Sequence, residues 1–142
     1  AAKCLGYAEK DKNFIDGDYS ICVDEKHMEN VRERYGFTNL ITTLRKSISA
    51  SDNGWSGAVC SESGLYQGSG YNLHIVDRVG GGDSFAAGFL HGILTHMEPD
   101  RALEFALAAA AIKHTIPGGL NYISEEEVLT LMNSDGSGRV NR

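Results

Sequence analysis

The segment VDRVGGGDSFAAGFL, residues 76–90, is the most informative part of this 142-residue chain. The apolar run LHIV, residues 73–76, predicts a short buried strand, and the small apolar residues after the glycines predict a helix over residues 83–97. Three consecutive glycines, residues 80–82, stand between them. The sequence therefore predicts a strand, a glycine turn and a helix in direct succession.

Such a turn is suited to binding a phosphate. Glycine has no Cβ, so the backbone N–H groups of the turn can approach a ligand closely. The N-terminus of the following helix adds unpaired N–H donors and the positive end of the helix dipole. Asp83 follows the glycines directly, and a bound phosphate would repel its carboxylate. Asp83 is therefore interpreted as a base that takes the proton of a hydroxyl attacking phosphorus.

Two other glycine-rich motifs are excluded by the residues around this turn. A Walker A loop requires a Lys after its last glycine, and Asp83 stands there instead. The dinucleotide pattern G-x-G-x-x-G fails because Phe85 occupies the position of its last glycine. A tight turn that serves only packing remains an alternative for the glycines taken alone.

The segment DRVGGGDSFAAGF resembles the second signature of the ribokinase-like (PfkB) carbohydrate kinases, D-T-x-G-A-G-D-x-F-x-x-G. The residues that match in register are Asp77, Gly80, Gly82, Asp83, Phe85 and Gly88. Gly81 stands where alanine is common, so an alanine at this position is expected to be tolerated, and Arg78 replaces the usual threonine. The resemblance implies that Gly80, Gly81 and Gly82 form an anion hole for the transferred phosphate. It also implies that Asp83 is the catalytic base.

Other parts of the chain extend the resemblance. TLRKSISASDNGW, residues 43–55, and GSGRV, residues 136–140, are similar to the 2-keto-3-deoxygluconate kinases of that family. Thr43, Leu44 and Arg45 resemble the T-L-G element that borders the nucleotide phosphates, with Arg45 in place of glycine. The Arg45 guanidinium either pairs with a phosphate or lies in solvent, and both interpretations stay open. Asp77 matches a position near the family's monovalent-cation site, which implies K⁺.

The resemblance also implies partners and limits. It implies transfer of the γ-phosphoryl group of ATP to a hydroxyl of a sugar acid, with Mg²⁺, in a cytoplasmic enzyme that is a homo-oligomer at full length. Leu107 stands where many relatives carry an asparagine near adenine, so a hydrogen bond to the base is not expected from it. Asn30 to Glu33 reads N-x-x-E, the pattern that the family uses near Mg²⁺, but here it falls within a helix and is predicted to be a solvated face.

Composition excludes several other classes of protein. The formal net charge of −6 gives no basic surface for nucleic acid. The longest apolar run, residues 106–112, is too short to span a membrane. Cys4, Cys22 and Cys60 form no C-x-x-C pair and are interpreted as reduced thiols.

The chain as a whole, residues 1–142, is interpreted as one unit. It corresponds to the C-terminal, nucleotide-binding part of a ribokinase-like kinase, and the sugar-binding and lid half is expected to lie outside it. The alternative is a nucleotide- or phosphate-binding module without catalysis.

Apolar periodicity and turn residues predict helices that alternate with strands, as in an α/β/α layered domain with a mostly parallel sheet and one small hairpin. The predicted strands are residues 37–44, 55–60, 64–68 and 73–76. Besides the helix after the glycines, helices are predicted over residues 24–35, from Pro99 to before Pro117, and after Ser124. Asp24 is the expected N-cap of the first helix and Gly36 its stop, and Ser124 with Glu127 predicts a capping box.

Overall fold

The computed structural model describes residues 23–134 and contains four helices and four strands there. Their order is α1 (Glu25–Tyr35), β1 (Leu40–Ser47), β2 (Asp52–Ser61), β3 (Gly64–Gln67), β4 (Tyr71–His74), α2 (Gly81–Leu94), α3 (Pro99–Lys113) and α4 (Glu125–Met132). None of these helices is both long and apolar enough to cross a membrane. Cys4, Cys22 and residues 136–140 lie outside the described range, whereas Cys60 is a buried free thiol.

The sheet is built around β2. β1 pairs along one edge of β2 over its whole length, from Leu40 opposite Cys60 to Ser47 opposite Asn53. On the other edge β3 pairs with the second half of β2 and β4 with its first half. Every pair among the described strands is antiparallel, so the prediction of a mostly parallel sheet is wrong. Parallel neighbours require a long crossover, whereas short turns join these strands and no helix lies between them.

The predicted hairpin is present, but several strand boundaries differ from the prediction. β1 lies three residues further along the chain than expected, and β2 begins at Asp52, three residues before the predicted start. The Asp52 carbonyl accepts the N–H groups of Ile48 and Ser49, and the Ser49 hydroxyl accepts the Asp52 N–H at 2.9 Å. These contacts close the turn within residues 48–52, so the polar residues that follow can pair with β1 and β4 as part of β2.

The sheet lies between two layers of helices, which confirms the predicted α/β/α layering. Successive residues of a strand point to opposite faces. Trp55 and Val59 of β2 therefore join the larger core, which α2 and α3 dominate. Ala58 and Cys60, on the other face, pack with Met28 of α1. The glycine turn that precedes α2 is thus on the side of the larger core.

Helices α2 and α3 approach each other most closely at two glycines of α2. A Cβ added to Gly88 would lie 2.9 Å from the Cα of Ala106. A Cβ added to Gly92 would lie 2.7 Å from the Cβ of Ala102. The two glycines are four residues apart and share one face of α2. They allow an approach that any larger residue would prevent.

The predicted helix caps of α1 and α4 are confirmed. The Asp24 carboxylate accepts the His27 N–H at 3.1 Å, and Gly36 ends α1 in the left-handed conformation with φ +65°. The Ser124 hydroxyl accepts the Glu127 N–H at 3.2 Å, and the Glu127 carboxylate accepts the Ser124 N–H at 2.9 Å. Both N-termini are therefore satisfied by side chains of the chain itself.

Candidate functional site

The glycine turn forms the N-terminus of α2. Gly80 is the N-cap and has φ +81°, while Gly81 and Gly82 are the first residues of the helix, which starts two residues earlier than predicted. The Ser84 N–H donates to the Gly80 carbonyl at 2.9 Å, the first helical hydrogen bond of α2. No side chain caps this end, and within residues 23–134 no acceptor faces the N–H groups of Gly82 and Asp83. The turn therefore presents open donors, as an anion site requires.

The three glycines are needed to different degrees. Gly80 combines its positive φ with a close approach, because a Cβ there would lie 2.7 Å from the Gly119 carbonyl oxygen. A Cβ on Gly81 would lie 2.6 Å from Cε1 of His114. A Cβ on Gly82 would meet nothing within 4 Å. The expectation that alanine is easily tolerated at position 81 is therefore wrong, since the buried imidazole occupies the space that its methyl group would take.

His114 supports the turn from beneath. The residue is 5% exposed, and its ring lies 4.9 Å from the ring of Trp55. Nδ1 lies 2.6 Å from the Ala110 carbonyl oxygen, so Nδ1 carries a proton. The His114 carbonyl accepts the N–H groups of Val76 and Asp77, at 2.9 and 3.2 Å. His114 thus contacts the turn twice: its ring packs under Gly81, and its carbonyl binds the residues that precede the turn.

Asp83 lies in the first turn of α2 with its carboxylate accessible. Among the described residues, no group donates a hydrogen bond to this carboxylate and none forms an ion pair with it. The residue borders a cleft of about 440 Å³ between α2, α3 and the start of α4. The lining of the cleft includes Gly80, Ser84, His91, Gly119 and Asn121. Asp83 is therefore free to contact a molecule that enters the cleft.

Asp77 joins the two loops next to the turn. Its Oδ1 accepts the Val79 N–H at 3.0 Å, and its Oδ2 accepts the Gly118 N–H at 2.8 Å. These two hydrogen bonds, together with the positive charge of Lys113, hold the pKa of the Asp77 carboxyl below its usual range. What the structure shows for Asp77 is a link between residues 77–79 and residue 118. Its predicted role at a cation site stays a prediction.

Thr43, Leu44 and Arg45 all lie within β1, which extends two residues beyond them to Ser47. Thr43 is paired with Gly57 and Arg45 with Trp55. Residues opposite each other in a sheet point to the same face, so both side chains lie on the face that carries α2. Leu44 is paired with Ser56, and its side chain points to the α1 face. A direct side-chain contact between Leu44 and a phosphate at the turn is therefore excluded.

Lys113 and His114 lie near the turn and were not singled out from the sequence. Burial lowers the pKa of His114, and the positive charges of Lys113, Arg78 and Arg45 lower it further. Arg78 donates from Nη2 to the Ala50 carbonyl at 2.9 Å, which fixes it beside the β1–β2 turn. Three positive side chains thus surround the imidazole beneath Gly81. The signals in the sequence were a charged residue inside the glycine signature and the pair Lys113-His114 after an apolar helix.

The structure also places two elements that were compared with the family pattern. Leu107 is fully buried, and its methyl groups lie against the positions where Gly57 and Gly68 would carry a Cβ. Asn30 and Glu33 are exposed on α1, as expected for a solvated helix face. Neither element brings a polar group to the glycine turn.

Comparison with known proteins agrees with this geometry. The model of the pfkB family carbohydrate kinases matches residues 51–125, which is more than half of the chain and includes the whole glycine turn. The chain belongs to the pfkB family of carbohydrate kinases. The resemblance drawn from the signature around Asp83 is confirmed.

Individual relatives show how much of a kinase the chain covers. The structure of 2-dehydro-3-deoxygluconokinase from Thermotoga maritima superposes with a TM-score of 0.80 at 38% identity, covering 92% of this chain and 38% of that one. An ATP-dependent ribose-1-phosphate kinase of Halopiger xanaduensis is 42% identical over 66 residues, 46% of this chain and 22% of its own. A 2-dehydro-3-deoxygalactonokinase of Haloferax volcanii is 29% identical over 86 residues, 60% and 27% of the two chains. The chain thus spans well under half the length of these relatives.

Proposed function

We propose that this chain carries the phosphate-binding turn and the catalytic base of an ATP-dependent sugar kinase. The acceptor proposed is a hydroxyl of a sugar acid, 2-keto-3-deoxygluconate, also called 2-dehydro-3-deoxygluconate. One observation carries the proposal: an unpaired carboxylate, Asp83, stands on the same helix turn as the open N–H groups of residues 82 and 83. Family membership and the superposition on the Thermotoga enzyme support it.

In the proposed reaction Asp83 accepts the proton of the sugar hydroxyl as the hydroxyl oxygen forms a bond to the γ-phosphorus. The bond from that phosphorus to the bridging oxygen of ATP breaks, and ADP leaves. The open N–H groups of Gly82 and Asp83 stabilise the charge on the transferred phosphoryl group. Phosphoryl transfer depends mainly on alignment and charge neutralisation, so this small set of groups can supply much of the catalysis.

The positive side chains define the proposed nucleotide side of the site. Arg45 and Arg78 both act electrostatically on His114, which lies directly under Gly81. An anion held at the turn would experience the same positive charges, because their influence extends over several ångströms in a partly buried site. We assign Arg45, with the neighbouring Thr43, to the phosphates of ATP. Leu44 is limited to backbone contacts.

The described residues contain no ready-made cluster of metal ligands. Within residues 23–134 no group of three His, Cys, Asp or Glu side chains is placed to hold a metal ion. In kinases Mg²⁺ binds largely to the substrate phosphates and to water, with only one or two carboxylates. We therefore propose that Mg²⁺ enters as part of the nucleotide complex. A cytoplasmic location and a homo-oligomeric state remain predictions.

Phosphorylation assays with the complete protein test the proposal. ATP would be offered with 2-dehydro-3-deoxygluconate, 2-dehydro-3-deoxygalactonate or ribose 1-phosphate, the acceptors named for its relatives. The expected result is the highest kcat/KM with 2-dehydro-3-deoxygluconate. Transfer only to one of the other two acceptors would support the proposed kinase activity but contradict the proposed substrate. Calorimetric binding of ADP without transfer to any acceptor would favour the binding module that the sequence left open.

A further inference from the structure

Lys113 is a buried cation directly behind the glycine turn. It is the last residue of α3 and has 0% of its surface exposed. Its Nζ donates to the Ile116 carbonyl at 3.0 Å. Its Cε lies 3.2 Å from the position that a Cβ on Gly80 would occupy. The side chain therefore passes beneath Gly80, and its ammonium group lies at the loop after α3.

This position is electrostatically favourable for a fixed cation. The C-terminus of α3 carries the negative end of a helix dipole. Asp77, which is hydrogen-bonded to Gly118 of the same loop, is a carboxylate whose pKa responds to Lys113. Ammonium and carboxylate do not form a direct ion pair within 4.0 Å among the described contacts. Lys113 thus balances the charge of Asp77 across the loop without binding it.

The same groups suit a bound K⁺ poorly. A monovalent cation next to Asp77 would need oxygen ligands from this carboxylate and from nearby carbonyls. Each carboxylate oxygen of Asp77 already accepts one backbone N–H group, and the Ile116 carbonyl already accepts Lys113, so each of these oxygens has one lone pair fewer for a metal ion. A second positive charge would also be repelled by the buried ammonium. The cation site implied for Asp77 by the resemblance does not fit these residues.

We infer that the Lys113 ammonium is a built-in cation of the glycine turn, so that binding of a nucleotide at the turn does not require K⁺. This inference rests on the proposed function, because it concerns the phosphate site of the proposed kinase. A cation attached to the chain is present at every salt concentration, whereas a bound ion contributes according to its concentration and affinity.

The test measures ADP affinity and melting temperature of the 142-residue chain in KCl, NaCl and tetramethylammonium chloride at equal ionic strength. The expected result for the unmodified chain is an ADP Kd that agrees within about twofold among the three salts, since coupled sites typically change affinity by about 5-fold or more. The melting temperature is expected to show no K⁺-specific rise. A K⁺-specific gain in affinity of about tenfold or more would overturn the inference.

Substitutions at Lys113 sharpen the test. Lys113→Met keeps the length of the side chain and removes its charge, and it is expected to weaken ADP binding by about tenfold or more in NaCl. Lys113→Arg keeps the charge and is expected to lose less. Lys26→Met, on exposed α1, is the matched control and should bind ADP like the unmodified chain. Unchanged ADP binding by Lys113→Met would overturn the inference.

Two further outcomes remain informative. If Lys113→Met fails to fold, the salt comparison on the unmodified chain decides alone. If ADP binds in none of the salts, the proposed nucleotide site is contradicted, and the melting temperatures still decide about the cation. A rise in KCl that is absent in NaCl would then show a K⁺ site and overturn the inference, whereas equal values would support only its first part, the ammonium in place of K⁺.

Discussion

The N-termini of α4 and α2 differ in whether side chains of the protein bind their unpaired N–H groups. Each leaves N–H groups without helical partners. At α4 the Ser124 hydroxyl and the Glu127 carboxylate satisfy them reciprocally. At α2 the N-cap is Gly80, which has no side chain to contribute, and the N–H groups of residues 82 and 83 remain open. Replacing a capping Ser, Thr, Asp or Asn by alanine costs about 1 kcal/mol, and replacing it by glycine costs roughly a few tenths of a kcal/mol.

The difference between the two ends indicates which one is kept for a ligand. Around α2 the fold provides other stabilising contacts: His114 packs under Gly81, and Asp77 holds the adjacent loop. A capping side chain at position 80 would be strained, because Gly80 has the left-handed conformation that residues with a Cβ rarely adopt. A helix end that is well supported on every side except at its N–H groups is suited to an anion from outside.

The largest expected effect distinguishes the first-turn acids of the two helices. Asp83→Asn in the complete protein should lower kcat by about 10²–10⁴ and leave ADP affinity nearly unchanged, because a general base is lost and no phosphate contact is removed. The matched change in α4, Glu126→Gln, should leave kcat unchanged. Steady-state kinetics and calorimetry measure both. A near-normal kcat in Asp83→Asn would contradict the assignment of Asp83 as the catalytic base.

The next effect concerns Gly80. Gly80→Ala should lower the free energy of unfolding by about 2–4 kcal/mol, since it adds left-handed strain of about 1–2 kcal/mol to a clash with backbone. Gly36→Ala is the control, because Gly36 also has a positive φ and a Cβ there would meet nothing within 4 Å. Its cost should be the strain alone. Urea denaturation of the 142-residue chain compares the two, and equal losses would show that the contact with Gly119 contributes nothing.

A smaller effect separates the remaining two glycines. Gly81→Ala should cost about 1–3 kcal/mol because the imidazole of His114 must move, whereas Gly82→Ala should be neutral within about 0.5 kcal/mol. Combining Gly81→Ala with His114→Ala should recover part of the loss, which a double-mutant cycle measures. Additive losses would mean that the two residues do not compete for the same space.

The smallest effect should occur at the capped end. Ser124→Ala should lower the free energy of unfolding by about 1 kcal/mol through loss of the capping box. ADP affinity of the 142-residue chain should not change, because this cap takes no part in phosphate binding. Thermal or urea denaturation with parallel calorimetry checks both statements. A clear loss of ADP affinity in Ser124→Ala would abolish the functional distinction between the two helix ends.

The sequence predicted local features better than the arrangement of strands. Asp24, Gly36, Ser124 and Glu127 act through neighbours three or four residues away, so their roles follow from spacing alone. The direction of β1 to β4 depends on which strands pair, and apolar runs look the same in either direction. The assumption that helices alternate with strands led to the parallel sheet.

The same distinction applies to the candidate site. Asp83 and the glycines were identified because their signature is continuous in the chain. His114 and Lys113 approach the turn from more than thirty positions away, so no spacing rule connects them with Gly80 and Gly81. The direction of the Leu44 side chain was not predictable for a related reason: which face of the sheet it occupies depends on its pairing with Ser56.

The backbone packing of α2 on α3 has a mechanical consequence. Gly88 and Gly92 bring α2 so close to Ala106 and Ala102 that no side chain of α2 separates the two helices at these two positions. Interfaces of this kind resist sliding and rotation, because any displacement drives main-chain atoms together. The turn at the start of α2 is therefore a fixed point of the molecule. Any movement that brings a sugar hydroxyl to Asp83 has to be made by the parts that carry the sugar.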